Sequence, residues 1–158
     1  MLVSGYSGTG KSALVREVHK PITESHGYFI EGKFDQFQRA VPYFAILKAF
    51  EEMTNILLTE SQSVLDGFRI SIQEAVGTEG KVITDVIPQL EKIIGLQPPV
   101  PEVGGAEAQN RFNYVFRKLI HVLATKEHPL VLFIDDLQWA DSSSLSLLQV
   151  LMTDRDSK

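Results

Sequence analysis

The chain has no cysteine among its 158 residues. It can therefore form neither a disulfide framework nor a zinc site with thiolate ligands. Its apolar runs are all far shorter than the roughly 20 residues that a membrane-spanning helix needs, so we expect no membrane span. Residues 1–5 lack the basic residues and the apolar stretch of a secretory signal. These absences predict a cytoplasmic protein.

Positive charge is not in excess either. The chain has 15 Lys and Arg residues against 20 Asp and Glu residues, for a formal net charge of −5. Sequence-independent binding to DNA or RNA requires dense positive charge, so we expect no nucleic-acid partner. The hydrophobic fraction of 44% and the charged fraction of 22% are near the averages of folded domains. A chain of this length is sufficient for one domain with its own core.

The order of predicted strands and helices favours an α/β fold with a parallel sheet. Strands are predicted near 2–4, 27–31 and 130–134, and the five consecutive apolar residues of the last one indicate a strand covered on both faces. Helical spacing of apolar residues predicts helices between them, including one over 83–94 that is kinked or restarted at Pro88. The predicted parts are 1–40 (first strand, helix, second strand), 42–105 (helices and a Pro/Gly linker) and 106–158 (long helix, third strand, last helix).

Two regions of this plan have open details. The first helix is predicted to run from Lys11 to near His19, because Pro21 disfavours the helical conformation at Lys20. The helices of about 60–105 are more than one crossover between strands needs, so we interpret them as a helical insertion. It is a lid, a partner surface or a decoration, with decoration favoured.

One stretch near the start matches the phosphate-loop (Walker A) pattern G-x-x-x-x-G-K-S/T at every fixed position. The matching residues are Gly5, Tyr6, Ser7, Gly8, Thr9, Gly10, Lys11 and Ser12, and Ala13 follows them. Glycines let backbone N–H groups wrap around a polyphosphate, and the following helix directs its N-terminal dipole at the same charge. We expect Lys11 to reach the β- and γ-phosphates and Ser12 to ligate Mg²⁺. The alternative is a glycine turn that only caps a helix.

The third predicted strand runs directly into Asp135 and Asp136. Carboxylates at this position lie at the C-terminal edge of the sheet, where open α/β sheets bind their ligands. We expect Asp135 to hold Mg²⁺ opposite Ser12, and Asp136 to orient or deprotonate the attacking water. Asp136 and Lys11 are thus the candidate catalytic pair of a nucleotide site (Walker A/Walker B). The alternative is a pair of turn or helix-cap aspartates.

Three aromatic residues lie near these motifs. Trp139 is the only tryptophan, and we expect it to pack beneath the acidic loop rather than to contact adenine or a partner. Phe34 and Phe37 are expected to form a hydrophobic cluster under the loop after the second strand, and a role in a base pocket is the alternative.

Two segments, 5–15 and 130–141, resemble the AAA+-related, STAND-type signalling ATPases, which are P-loop proteins that use a nucleotide as a conformational switch. The acid pair followed by Gln138-Trp139-Ala140-Asp141 is quite specific to that group. Residues 20–22, 27–30 and 32–39 are similar to a narrower set, the ATPase module of very large bacterial sensor proteins. In those proteins the module lies between a Ser/Thr-kinase-like domain and GAF and histidine-kinase domains.

The resemblance implies a P-loop three-layer sandwich that binds ATP or ADP with Mg²⁺, works in cytoplasmic signalling beside kinase and GAF domains, and self-associates on activation. It also implies that a central strand follows the acidic strand, whereas this sequence ends at Lys158 after the next helix. We therefore expect an N-terminal part of the module, with an incomplete sheet, weak nucleotide binding and little hydrolysis. No arginine finger is assigned.

Other functions are less well matched. A GTPase usually carries Asn-Lys-x-Asp, which does not occur here, and the lid of a small-molecule kinase is usually rich in arginine, whereas 60–105 contains only Arg69. A non-catalytic nucleotide-binding or interaction fragment of a sensor kinase stays as the alternative.

Overall fold

The computed structural model describes residues 26–38 and 40–154, together with the single positions 13, 17, 21, 22 and 24. The predicted first strand and the phosphate loop lie outside the described residues. Pro21, Ile22 and Glu24 have helical conformation, so helical structure extends beyond the predicted end near His19. This is compatible with proline, whose fixed φ suits a helical backbone.

The described part of the chain contains one sheet, formed by two parallel strands. β1 comprises Tyr28–Lys33 and β2 comprises Leu130–Asp135. Tyr28 is paired with Leu130, and the register continues to Lys33 opposite Asp135. The predicted α/β class with a parallel sheet is confirmed. Because the strands are parallel and in register, both end at the same edge of the sheet.

Within residues 40–154 the structure has six α-helices. They are α1 (Phe44–Leu57), α2 (Gln62–Val76), α3 (Gly80–Thr84), α4 (Glu91–Ile94), α5 (Gly105–Leu123) and α6 (Ser142–Thr153). Single 3₁₀ turns at Gly77–Glu79 and Pro88–Leu90 lie between α2, α3 and α4, and a further one at Leu137–Trp139 lies between β2 and α6. The helix predicted over 83–94 is interrupted, because Ile87 leaves the helical region, with φ −127° and ψ 74°, and proline disfavours helical conformation at the residue before it. None of the helices in the described ranges is long and apolar enough to span a membrane.

The helices of 62–94 are part of the main core. Seven of their residues are buried in the same apolar cluster as Phe50 of α1 and Phe116 of α5: Ile72, Val76, Ile83, Ile87, Leu90, Ile93 and Ile94. Arg69 and Gln73 of α2 also donate hydrogen bonds to the carbonyl oxygens of Ile93 (2.7 Å) and Ile94 (2.8 Å) at the end of α4. The interpretation of this segment as a decoration is therefore wrong, because a large share of the domain's apolar burial depends on it.

β2 is less covered than its sequence predicts. All six of its residues are only half-buried, whereas Tyr28, Phe29 and Ile30 of β1 are buried. Leu130, Leu132 and Ile134 pack against the core, but β1 is the one strand that pairs with β2 in the described part of the chain. The expectation of a strand covered on both faces is thus not met within these residues.

The first turn of α1 lies directly on the sheet, at the end where the strands finish. A Cβ atom at Gly32 would clash with the carbonyl oxygen of Ala45 and would lie 2.9 Å from Cδ1 of Ile134. A side chain larger than hydrogen would push α1 away from both strands. This contact fixes the start of α1 beside the acidic end of β2.

Candidate functional site

The acidic end of β2 meets the basic end of β1. Lys33 and Asp135 are partners in the strand register, and the N–H of Phe34 donates to the carbonyl oxygen of Asp135 at 3.2 Å. The pairing therefore continues to the last residue of β2. The C-terminal edge of a parallel sheet is the usual ligand position in α/β folds, so this edge is the candidate site.

Asp135 is half-buried and rigidly placed by its backbone. Its Oδ1 accepts a hydrogen bond from the N–H of Asp136 at 2.9 Å. Its other carboxylate oxygen accepts no hydrogen bond from a described residue. One oxygen thus orients the side chain, and the other is available to a ligand as far as the described residues are concerned.

Asp136 has left-handed backbone conformation, with φ 56° and ψ 43°. This conformation is uncommon for residues other than glycine, although aspartate tolerates it better than most. The Asp136 side chain lies 3.5 Å from Nζ of Lys33 and accepts a hydrogen bond from Nε2 of Gln138 at 2.9 Å. The two carboxylates therefore differ, because Asp136 already has two side-chain partners.

Lys33 was missed by the sequence analysis. It is the last residue of β1 and its side chain is 70% exposed. Its position could have revealed it. Lys33 closely follows the predicted strand 27–31, and parallel neighbouring strands end at the same edge of a sheet, so a residue there lies close to the acid pair. The exposed ion pair contributes little to stability, so its interest lies in placing a positive charge at the acidic edge.

A hollow of about 310 Å³ lies beside the acid pair. Its lining residues are Lys33, Phe34, Asp35, Gln36, Phe37, Asp136 and Trp139. Phe34 is buried as predicted, but Phe37 is 82% exposed, so the expectation of a cluster containing both is wrong. The cause is local: Oδ1 of Asp35 accepts the N–H of Phe37 at 2.8 Å, in an Asx turn that points the chain outward.

Trp139 is half-buried and packs against a small cluster formed by Phe34, Ala45 and Ala140. This agrees with the expected packing beneath the acidic loop, although the indole also lines the hollow.

The acid pair does not form a complete metal site by itself. Within the described ranges, no group of three or more His, Asp or Glu side chains is arranged to hold a metal ion. Mg²⁺ is usually bound by one or two carboxylates together with waters and substrate phosphates. The Asp135 oxygen that has no hydrogen-bond partner among the described residues fits that requirement, because it would supply one hard ligand at this edge of the sheet.

The other predicted site residues are not brought to this edge by the described structure. Gly5, Tyr6, Ser7, Gly8, Thr9, Gly10, Lys11 and Ser12 lie outside the described residues. Ala13 is described, and it is helical and exposed. The joining of phosphate loop and acid pair therefore stays a prediction.

The family described as "AAA ATPase domain" matches residues 1–158, the whole chain. The chain belongs to the AAA ATPase domain family. Membership implies that this AAA ATPase domain binds a nucleotide. The match covers both the phosphate-loop sequence and the acidic end of β2.

A curated relative is the "Hybrid signal transduction histidine kinase G" of Dictyostelium discoideum, with 40% identity over 152 residues. The alignment covers 96% of this ATPase domain and only 4% of the relative's length. The similarity is thus to a small part of a much longer signalling protein, and it is not confined to bacterial sensors. No solved structure was found to match the chain.

Proposed function

We propose that this AAA ATPase domain binds Mg–ATP between the phosphate loop of 5–12 and the acid pair at the end of β2. We further propose that it works as a STAND-type nucleotide switch inside a larger signalling protein. The observation that carries the proposal is the half-buried carboxylate of Asp135, oriented at the C-terminal edge of a parallel pair, with one oxygen that accepts no hydrogen bond from the described residues. Family membership and the phosphate-loop sequence support it.

Each residue has a role in this proposal. The backbone of 5–13 cradles the phosphates, and Lys11 neutralises the charge at the β- and γ-phosphates. Ser12 and Asp135 would hold Mg²⁺, which neutralises phosphate charge when bound. Asp136 would orient the attacking water.

Slow hydrolysis is part of the same proposal. Asp136 already accepts hydrogen bonds or ionic contacts from Lys33 and Gln138. Carboxylate oxygens that are engaged in this way are less available to orient a water molecule. Lys33 would have to release Asp136, or share it, before hydrolysis proceeds, so a long-lived ATP state is expected.

The setting is inferred from the relative. The chain aligns with 4% of the length of a hybrid histidine kinase. We therefore propose that the domain operates beside kinase-type domains and that self-association accompanies its activation. The bound nucleotide would then report a signalling state rather than drive continuous turnover.

Calorimetric titration with ATP, ADP and GTP, each with and without Mg²⁺, tests nucleotide binding. Lys11→Ala is expected to weaken ATP binding more than about tenfold, because a charge-assisted contact contributes about 1.5–3 kcal/mol. Asp135→Ala is expected to abolish the Mg²⁺ dependence while leaving metal-free binding unchanged. Lys81→Ala is the matched control, since Lys81 pairs with Asp85 in α3, away from the acidic edge. Equal affinity for ATP in Lys11→Ala and Lys81→Ala would contradict the assignment.

A turnover assay separates the switch from the non-catalytic alternative. Asp136→Asn removes the charge, and asparagine tolerates left-handed backbone as aspartate does. We expect ATP binding to persist while hydrolysis falls. Identical turnover of wild type and Asp136→Asn supports instead a nucleotide-binding or interaction fragment without catalysis.

A further inference from the structure

Asp141 connects the acidic loop to a distant part of the chain. Its Oδ1 accepts the N–H of Ser144 at 2.9 Å, which caps α6. Its Oδ2 accepts the hydroxyl of Ser144 at 2.5 Å and the backbone N–H of Tyr43 at 3.2 Å. Tyr43 lies 98 positions away in sequence and is the N-cap residue of α1. One carboxylate thus joins the N-terminal ends of two helices.

The Tyr43 side of this connection is itself held in place. Tyr43 has left-handed backbone conformation with φ 62°, and α1 has no side-chain cap of its own. Its ring lies 4.3 Å from that of Phe112, measured between centroids, and its hydroxyl is 3.5 Å from Oδ1 of Asn113. Both partners belong to α5. Asp141 is therefore anchored to a point that α1 and α5 fix together.

The loop between β2 and Asp141 is short and is held at both ends. The N–H of Trp139 donates to the carbonyl oxygen of Asp136 at 2.9 Å, and Ala140 is buried against Phe34 and Ala45. The left-handed conformation of Asp136 has to be maintained by its surroundings, since such a residue costs about 1–3 kcal/mol. The anchor at Asp141 is the polar contact that holds the far end of this loop.

We propose that Asp141 is a positioning residue for the acid pair: by binding the N–H of Tyr43, its carboxylate fixes the loop 136–140 so that Asp135 and Asp136 face the nucleotide edge. The expected effect of Asp141 on nucleotide binding rests on the function proposed above, whereas its expected effect on the order of loop 136–140 does not. A helix cap alone would require only the bond to Ser144 N–H.

Asp141→Asn separates the two roles. The side-chain oxygen of asparagine can still cap α6, but its NH₂ group then faces the N–H of Tyr43 and cannot accept from it. Asp141→Ser is the second variant, because serine is also a good cap and is too short to reach Tyr43. Ser144→Ala is the matched control: it removes the hydroxyl contact and keeps both backbone bonds of the carboxylate. Far-UV circular dichroism and thermal unfolding establish which variants are folded.

The first readout is acrylamide quenching of Trp139, the only tryptophan, in the full chain without nucleotide. We expect the quenching constant to rise about 1.5-fold or more in folded Asp141→Asn or Asp141→Ser, since a released loop opens locally. Ser144→Ala should match the wild type. Wild-type quenching in the folded Asp141 variants would overturn the proposal.

The second readout is the ratio of ATP affinities with Mg²⁺ and with EDTA. We expect this ratio to fall about threefold or more in the Asp141 variants, with the EDTA affinity unchanged, and to stay at the wild-type value in Ser144→Ala. An unchanged ratio beside increased quenching would overturn the link to the acid pair. If the wild type binds no ATP at all, the proposed function has failed, and quenching alone then decides whether Asp141 orders the loop.

Discussion

The helical region of residues 44–123 and the acidic edge of residues 130–141 are held together by different interactions. The helical region buries large apolar side chains, and its aromatic rings pack in a chain from Tyr43 through Phe112 and Phe116 to Phe50. At the acidic edge, β2 is half-buried, Asp136 has left-handed conformation, and hydrogen bonds hold the carboxylates of Asp135 and Asp136.

This difference separates stability from ligand binding. Apolar burial supplies most of the free energy of folding, so the helical region is expected to determine whether the domain folds. The polar contacts of the acidic edge each contribute little to stability, so they are free to hold carboxylates where a ligand needs them. Substitutions in the two regions should therefore be measured by different assays.

The largest effect on stability is expected in the helical region. Phe116 is fully buried, and its ring centroid lies 4.7 Å from that of Phe50 and 5.4 Å from that of Phe112. Phe116→Ala should lower the free energy of unfolding by about 3–5 kcal/mol, because it leaves a cavity. Urea denaturation measures this, and Phe116→Leu should give a smaller loss.

Tyr114→Ala is the control for this prediction, on the same helix. Tyr114 is 49% exposed, and Nζ of Lys118 lies over its ring, 4.6 Å from the centroid. Its loss should stay below about 1 kcal/mol. Losses of similar size at the two positions would mean that α5 is not packed as described.

A smaller effect is expected where the two regions meet. Gly32→Ala should destabilise by about 1–3 kcal/mol, since a Cβ there meets the backbone of Ala45. Gly67→Ala on α2 is the matched control, because no atom lies within 4 Å of the added Cβ. It should stabilise by about 0.5–1 kcal/mol, the usual gain for alanine over glycine in a helix. Thermal unfolding measures both stability changes. A change of the same sign in Gly32→Ala and Gly67→Ala would contradict the close contact of α1 with the sheet.

The smallest effect concerns pH. Burial raises the pKa of Tyr43 above its ordinary value of 10.0, the charge of Asp141 acts in the same direction, and the neighbouring side chains of Ser143 and Gln109 oppose it. The folded state then holds the phenol proton more tightly than the unfolded state. The contribution of the protonated Tyr43 phenol to the free energy of unfolding is full below about pH 10 and is lost as pH rises through the raised pKa.

The test is chemical denaturation between neutral and alkaline pH, comparing wild type with Tyr43→Phe. The variant should lose less stability above about pH 10. Part of the loss should remain, because burial also raises the pKa of Tyr28. A variant with the same alkaline loss as wild type would show that the Tyr43 phenol does not contribute.

Local pattern predicted the helical region well. α1, α2 and α5 follow the 3.6-residue spacing of apolar side chains, and the parallel pairing of β1 with β2 follows from their separation by helices. The break before Pro88 was left open as a kink or restart, because sequence alone does not decide between them. The role of 62–94 in the core was misjudged, since burial depends on which surfaces meet and not on spacing.

The acidic edge was predicted only in part. Asp135 and Asp136 were found because they follow an apolar run, and their strand end is where we expected it. Lys33 and the bond from Tyr43 to Asp141 were not found, because both contacts join residues about a hundred positions apart. Phe37 was placed wrongly because the turn made by Asp35 outweighs the hydrophobicity of its ring.

The separation of the two strands in sequence has a kinetic consequence. β1 and β2 pair across about a hundred intervening residues, so the pairing closes a long loop. The chain loses the entropy of this loop before the strand contacts contribute favourable free energy. The helices between them contact one another across shorter separations in sequence and can assemble earlier. The edge that carries the acid pair exists only after the slowest closure, so a nascent or partly unfolded chain presents helices without a ligand site.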